Sequence, residues 1–349
     1  MNIRAERLHN QQLAKPALAP VDVVAAFGAM QAQEYAFAKW AIGLRSPGTT
    51  DADIEKLVSD GKILRTHPMR MTHHFVAPAD IRWLIALLGP VMIKRAAKRS
   101  ADLGLDDKTV GKSHEVLAKA LAGGKHLGRA EIGALFTRAK LAPEGQRLPH
   151  LLGHAELAGL ICSGERRGKQ ITFAWLDDRV PKVKPLTREA SLAELARRYF
   201  TTRGPATLQD FMWWCGLPAA DARAAIALAG DAIAEDTRGD TKYWRGTGAP
   251  ATRIGPLAYL LPTYDEYAVA YRDRRTIGTA PKRARNFGEE TLLCPSIVIG
   301  GEIVGSWRRA VAKRVAIELM PWRKLTPKER GLVEGAADRY ATFIGVPRD

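Results

Sequence analysis

The sequence predicts an α+β fold: tandem winged-helix (helix-turn-helix) units followed by a β-rich C-terminal part, arranged around a basic concave channel. Three observations lead there. Helical periodicity followed by a short strand pair recurs along the first two thirds of the chain, alternating strands flank Gly300-Gly301, and Lys plus Arg number 53 against 37 Asp plus Glu. With 349 residues, 46% of them hydrophobic, the chain can bury several cores.

The first unit, residues 1–100, opens with apolar positions at helical spacing from Val21 to about Ser46. "TTDADIEKLVSDGKIL" follows, with a Thr/Asp start signal and Gly61 near its end. "LRTHPMRMTHHFVAP" is extended and closed by a proline, and "ADIRWLIALLG" starts another helix. The second unit, 101–185, repeats the order: helices meeting near Gly123-Gly124, a third helix in "LPHLLGHAELAGLI", then strand, basic glycine turn and strand in "CSGERRGKQITFAWLDDRV". In the third, 186–250, "GPATLQDFMWWCGL" has a helix start at Thr207 and a stop at Gly216, and "KYWRG" supplies a strand. The last region, 251–349, alternates as strands around Gly300-Gly301 and ends in a helix from about Thr326 to Ile344.

A net charge of +16 and a pI near 9.9 ask for a polyanionic partner, nucleic acid first. The longest apolar run, "WLIALLGPVMI", is too short to span a bilayer, and "MNIRAERLHNQQLAKP" lacks a signal-peptide core, so a cytoplasmic, nucleoid-associated protein without membrane contact is expected. Cys162, Cys215 and Cys294 are isolated, which supports neither a disulfide framework nor a structural zinc site. Neither nucleotide-binding glycine motif is present, and no cofactor is expected.

Within "FGAMQAQEYAFAKWAIGLR", Gln31 and Gln33 bracket one alanine. On a regular helix such positions point roughly opposite ways, whereas on an extended segment they share a face and Ala32 turns inward. The alternative is a pair of polar positions at a helix end, bonded to nearby backbone.

The chain resembles the winged-helix DNA-binding-domain family of AlkZ-like and more distant YcaQ-like DNA glycosylases, which excise alkylated bases and unhook interstrand crosslinks. The resemblance rests on five collinear blocks: "GAMQAQEYAFAKWAIGLR", "LRTHPMRMTHHFVAPAD", "GPATLQDFMWWCGL", "LLPTYDEYAVAYRDR" and "GGEIVGSWRR". In that family two glutamines flanking an apolar residue form the catalytic signature, which maps onto Gln31 and Gln33. Met71 and His73 depart from it, since relatives commonly have Gly and Leu there.

The resemblance implies a glycosylase acting on duplex DNA that contains alkylated bases; a chain enclosing DNA by itself needs no obligate protein partner and is expected to be a monomer, and the enzyme is expected to be monofunctional. No lysine stands in the glutamine motif to form a Schiff base. Asp265 is the reserve candidate for a water-activating group. Asp265 and Glu266, being adjacent, point apart and cannot act as a paired acid and base; one of them is expected to anchor an arginine such as Arg272 or Arg274. Candidate DNA contacts are Arg65, His67, Arg70 and His74 in the first strand pair, Arg166, Arg167 and Lys169 in the second, and Arg272, Arg274, Arg285, Arg308 and Arg309 toward the C-terminus. Metal ligation is not expected: His67, His73 and His74 lack a nearby third ligand set, and His150 and His154 lack a carboxylate partner in sequence. The competing reading is a non-enzymatic DNA-binding protein or transcriptional regulator that reads the major groove. Trp213 and Trp214 are expected to pack in the core.

Overall fold

The computed structural model describes residues 2–248, 253, 255–281 and 288–349. After the short α1 (Ile3–Asn10), the first unit runs α2 (Pro20–Phe27), β1 (Met30–Gln31), α3 (Tyr35–Gly43), α4 (Asp51–Ser59), β2 (Leu64–Met69) and β3 (Thr72–Val76). Its sheet has the order β1-β3-β2. The stretch from Val21 to Ser46 is therefore not continuous helix. Gly28, at φ 70°, ends α2, and the chain extends as β1 because Met30 and Gln31 pair with Phe75 and His74 of the hairpin. A capping box between Thr50 and Asp53 starts α4.

A long α5 (Pro78–Asp102) leads to the second unit, and its helix is unbroken at Gly89-Pro90. Gly89 lies against α8 so closely that an added Cβ would stand 2.4 Å from the Leu157 carbonyl oxygen. Gly89→Ala is accordingly expected to destabilise the fold by about 1–3 kcal/mol through overpacking. Gly111→Ala, in an exposed helical position with nothing within 4 Å, is expected to be neutral or stabilising by about 0.5–1 kcal/mol. Urea unfolding midpoints separate the two.

The second unit repeats the order of the first: α6 (Asp107–Leu121), β4 (His126–Gly128), α7 (Arg129–Arg138), α8 (Arg147–Leu157), β5 (Ile161–Ser163) and β6 (Thr172–Trp175), with sheet order β4-β6-β5. After the single turn α9 (Leu176–Arg179), the third has α10 (Arg188–Arg203), α11 (Leu208–Cys215), α12 (Ala219–Ala229), β7 (Ile233–Arg238) and β8 (Thr241–Gly246). Its first strand is reduced to one residue, Ala206, which bridges to Trp244. Thr207 caps α11 in a capping box with Asp210, and Gly216 closes it at φ 78°. Helix, strand, helix, helix, strand, strand thus occurs in full twice, and a third time with a single bridging residue in place of the first strand.

The C-terminal region contains β9 (Ala258–Leu261), the one-turn α13 (Glu266–Val269), β10 (Ser296–Ile299), β11 (Glu302–Val311), β12 (Val315–Pro321) and α14 (Pro327–Ile344). Its antiparallel sheet has the order β12-β11-β10-β9, and Thr326 caps α14. The side chains are grouped differently from the chain order. One core joins α2, α3 and α4 to the C-terminal sheet and α14, a second joins α5 to the third unit, and a third lies inside the second unit. Burying the first unit against the last makes the start and end of the chain one body around β1. Among the described residues no helix is long and apolar enough to cross a membrane.

Candidate active site

The glutamine segment is extended. Gln31 pairs with His74, and the Ala32 N–H donates to the His73 carbonyl at 2.8 Å. Ala32 is fully buried, while Gln33 is exposed and Gln31 retains 8% of its surface. The Gln31 amide is held at both ends: its Oε1 accepts from the Gln33 N–H at 2.7 Å, and its Nε2 donates to Thr72 Oγ1 at 3.3 Å. Gln33 Oε1 accepts from the His73 backbone N–H at 3.2 Å and lies 3.4 Å from His73 Nδ1. The Gln31 carbonyl thereby accepts one backbone donor and keeps a second lone pair, while that of Gln33, beside it, accepts one backbone donor and stands within reach of His73 Nδ1.

One arginine holds this segment, a second holds the turn before it, and a third fixes the carboxylate next to Glu266. Arg65 donates through Nε to the Ala32 carbonyl at 3.0 Å and through Nη2 to that of Gln33 at 3.5 Å, so its 7% exposed side chain clasps the strand from below. Glu266 Oε1 accepts the Gln31 backbone N–H at 2.8 Å, and its Oε2 meets Arg203 Nη2 at 2.7 Å. Arg203 also donates to the carbonyls of Phe27 and Ala29 at 3.1 and 2.7 Å, so it fixes the turn that delivers β1. Arg45 forms a bidentate pair with Asp265 at 2.9 and 2.8 Å, with both side chains essentially inaccessible.

These contacts correct several expectations. Asp265 is buried and engaged rather than open to the site: Arg45 takes both its oxygens and the Tyr267 N–H takes one again as a helix cap, at 2.8 Å. The arginines anchored by the adjacent carboxylates are Arg45 and Arg203, not Arg272 or Arg274. Arg65 and His74 are buried structural groups and not surface contacts for phosphate. His74 is wholly enclosed, bonded through Nδ1 to the Thr72 carbonyl, and burial holds its pKa well below the usual imidazole value. Burial and the adjacent His67 ring push His73 down in the same way. Arg70 turns inward, 3.4 Å from His74 Nε2. Arg70 and Met71 both have positive φ, 53° and 54°, the type I′ geometry of a two-residue hairpin turn that usually selects glycine or asparagine.

His67 is half-buried and bonded through Nδ1 to Glu156. Arg166 is tied to Glu55 at 2.7 Å, Arg274 is half-buried over Trp213, and Arg309 lies over Phe37 and Tyr340. Arg167, Lys169, Arg272 and Arg308 are exposed, as a backbone-contacting group must be. Arg285 lies outside the described residues. Trp214 packs in the core, but Trp213 is 42% exposed and donates to the Val269 carbonyl.

The model of the family described as DNA glycosylase AlkZ-like matches residues 24–343. The chain belongs to the AlkZ-like DNA glycosylase family. It is 23% identical over 348 residues to an interstrand DNA cross-link repair glycosylase of Streptomyces sahachiroi, covering 94% of this chain and 91% of that protein. Its structure superposes on that of the Streptomyces sahachiroi DNA glycosylase AlkZ with a TM-score of 0.81 at 22% identity, over 99% of this chain and 96% of the other. At that identity the superposition establishes a shared fold.

DNA glycosylases hydrolyse N-glycosyl bonds, and in this AlkZ-like chain the residues around the glutamine pair go beyond what the sequence pattern picked out. Thr72, His73, Glu266 and Arg203 each bond to Gln31, to Gln33 or to the strand that carries them. Glu266 lay in a quoted block, but nothing local to that block shows that its partner atom is 235 residues away.

Proposed function

We propose that this AlkZ-like glycosylase releases purines alkylated at N7 or N3 from duplex DNA, with Gln31 and Gln33 as its catalytic side chains. The observation that carries the proposal is the pair itself: two amide carbonyls on one side of an extended segment, Ala32 turned into the core between them, and the first amide bonded to the backbone of the second. A cationic purine leaves as a neutral base, so no strong general acid is required. The protein has to place a water near the anomeric carbon and put partial negative charge beside the sugar as it gains oxocarbenium character. Carbonyl oxygens fixed in advance do both. Undamaged purines are poor leaving groups, and a site of this kind leaves them in place.

A hydrolytic rather than Schiff-base reaction is supported by Lys39, a lysine in the same block, which is buried and held at 2.7 Å by both Asp51 and Glu55. The exposure of Gln33 leaves room for a bulky adduct, and the curated relative's name makes interstrand crosslinks a substrate class to assay. Arg167, Lys169, Arg272 and Arg308 are the exposed cations assigned to duplex phosphates, with the chain acting as a monomer.

Major-groove reading is disfavoured by the third helix of each unit. α4 carries Asp51, Asp53 and Glu55, α8 is buried along most of its length, and α12 is largely alanine with Arg223 as its single cation. The test incubates methylated duplex with the protein and with Gln31→Ala and Gln33→Ala. Release of 7-methylguanine is expected to fall roughly 10²-fold or more in each variant while duplex binding persists. Wild-type release rates in both folded variants would remove the glutamines from the mechanism, and binding without any release by the unaltered protein would make it a DNA-binding protein only.

A further inference from the structure

His67, His73 and Glu156 come from three elements, β2, β3 and α8, and from two winged-helix units, yet one donor atom from each lies within 4.8 Å of the others. The third ligand that the local histidine spacing lacks arrives from helix α8, 89 residues along the chain from His67. Glu156 is 1% exposed, and among the described residues its one ion-pair partner is His67. A buried carboxylate ordinarily has a fixed cation or a metal beside it. Arg65 is the adjacent fixed cation, but its Nε and Nη2 are donated to the carbonyls of Ala32 and Gln33. The rings of His67 and His73 stand with centroids 3.6 Å apart and tilted 42°.

We infer that these three side chains form a site for a divalent transition-metal ion of the zinc class, fastening the second unit to the hairpin that holds the glutamine pair. Two imidazole nitrogens and one carboxylate oxygen suit Zn²⁺, Co²⁺ or Ni²⁺, whereas Mg²⁺ and Ca²⁺ prefer sites built from oxygen. Bonds of 2.0–2.2 Å set tetrahedral ligand atoms about 3.4 Å apart, and rotation of the two imidazoles closes the remaining gap. The ion takes the place of the direct contact between His67 Nδ1 and the Glu156 carboxylate. Three protein ligands leave a fourth position open.

His73 has the arrangement expected of a metal-bound histidine. Its Nδ1 faces Gln33 Oε1 at 3.4 Å, so ligation through Nε2 fixes the tautomer that donates to Gln33. The ion therefore ties α8 to β3, from which the Thr72 hydroxyl holds Gln31 and the His73 N–H holds Gln33. Binding of the ion is independent of whether the glutamines are catalytic.

The test uses the full chain, stripped with a chelator and titrated with Co²⁺. One equivalent is expected to bind with the intense visible d–d absorption of a four- or five-coordinate ion, to be displaced by Zn²⁺, and to raise the unfolding midpoint. Glu156→Gln and His67→Asn, verified as folded by circular dichroism, should each bind Co²⁺ at least about tenfold more weakly and lose that absorption. His150→Ala, on the exposed side of α8, should leave it unchanged. Equal binding by the wild type and both variants, or only the weak spectrum of octahedral Co²⁺ in the wild type, overturns the site.

Discussion

Arg45→Met is expected to lower the unfolding free energy by about 3–5 kcal/mol, a large share of the 5–15 kcal/mol that holds an ordinary domain together. Every one of the guanidinium's five N–H groups is used: on the Gln11 carbonyl and side chain at 3.0 Å each, on the Ala41 carbonyl at 2.8 Å, and on both oxygens of Asp265. Methionine fills much of the same volume, but it leaves the Asp265 charge buried with only the Tyr267 N–H. Asp265→Asn is expected to cost somewhat less, because the amide still accepts one arginine donor but turns an N–H₂ group toward the others. The double variant Arg45→Met with Asp265→Leu removes both charges and should recover much of the loss, since the pair owes little net stability to its own attraction after desolvation. Urea midpoints for the unaltered protein and these three variants are the measurement. A loss below about 1 kcal/mol for both single variants would show that the pair is not the fixed joint between α3 and the turn before α13. Any fall in base release by Asp265→Asn should then follow its folded fraction, in contrast to the role the sequence alone suggested for this carboxylate.

The sequence carried the elements well and their partnerships poorly. Local signals marked the helices: Thr207 and Gly216 around α11, Thr326 at the start of α14, Thr50 before α4. Glycine pairs and alternation marked β10 and β11 in the same way. These signals act over three to five residues and need no knowledge of the rest of the chain. β1 was not legible. Two residues make no period, and they are extended because a hairpin some forty positions later supplies the pairing. The same limit governs the site. Gln31, Ala32 and Gln33 could be singled out by spacing, and the extended alternative for them matches the observed backbone. Their supports could not be found that way: Arg65 looked like a surface cation in a basic hairpin, and only the fold shows it buried under the strand. Composition treats all 53 basic residues alike, although Arg7, Arg45 and Arg203 are among the largest fully buried side chains. Part of the charge excess therefore serves the interior and overstates the surface available to a polyanion.

Glu266 is the residue through which the core reaches the glutamine pair. Its carboxylate accepts the Gln31 backbone N–H with one oxygen and Arg203 with the other, and Arg203 in turn grips the carbonyls of Phe27 and Ala29 at the start of β1. A bond to the backbone at the first glutamine sets where that side chain leaves the strand, so a shift of a few tenths of an ångström there is passed to both amides through the Gln31 Oε1 to Gln33 N–H bond. Glu266→Ala should be costly twice over: about 3–5 kcal/mol of stability from the unpaired Arg203, and roughly 10–100-fold in kcat from the released strand. The two effects are separable by charge-free pairs. Glu266→Gln with Arg203→Met keeps a carbonyl acceptor for the Gln31 N–H and should retain base release within about tenfold of the unaltered protein. Glu266→Leu with Arg203→Met has similar volume and no buried charge, yet it leaves that N–H unsatisfied, at a cost of about 1–3 kcal/mol, and should lose kcat by the larger factor with KM little changed. Equal kcat in the two double variants, compared at equal folded fraction, would reduce Glu266 to a packing and charge-balancing group. A difference confined to kcat assigns it the orientation of Gln31.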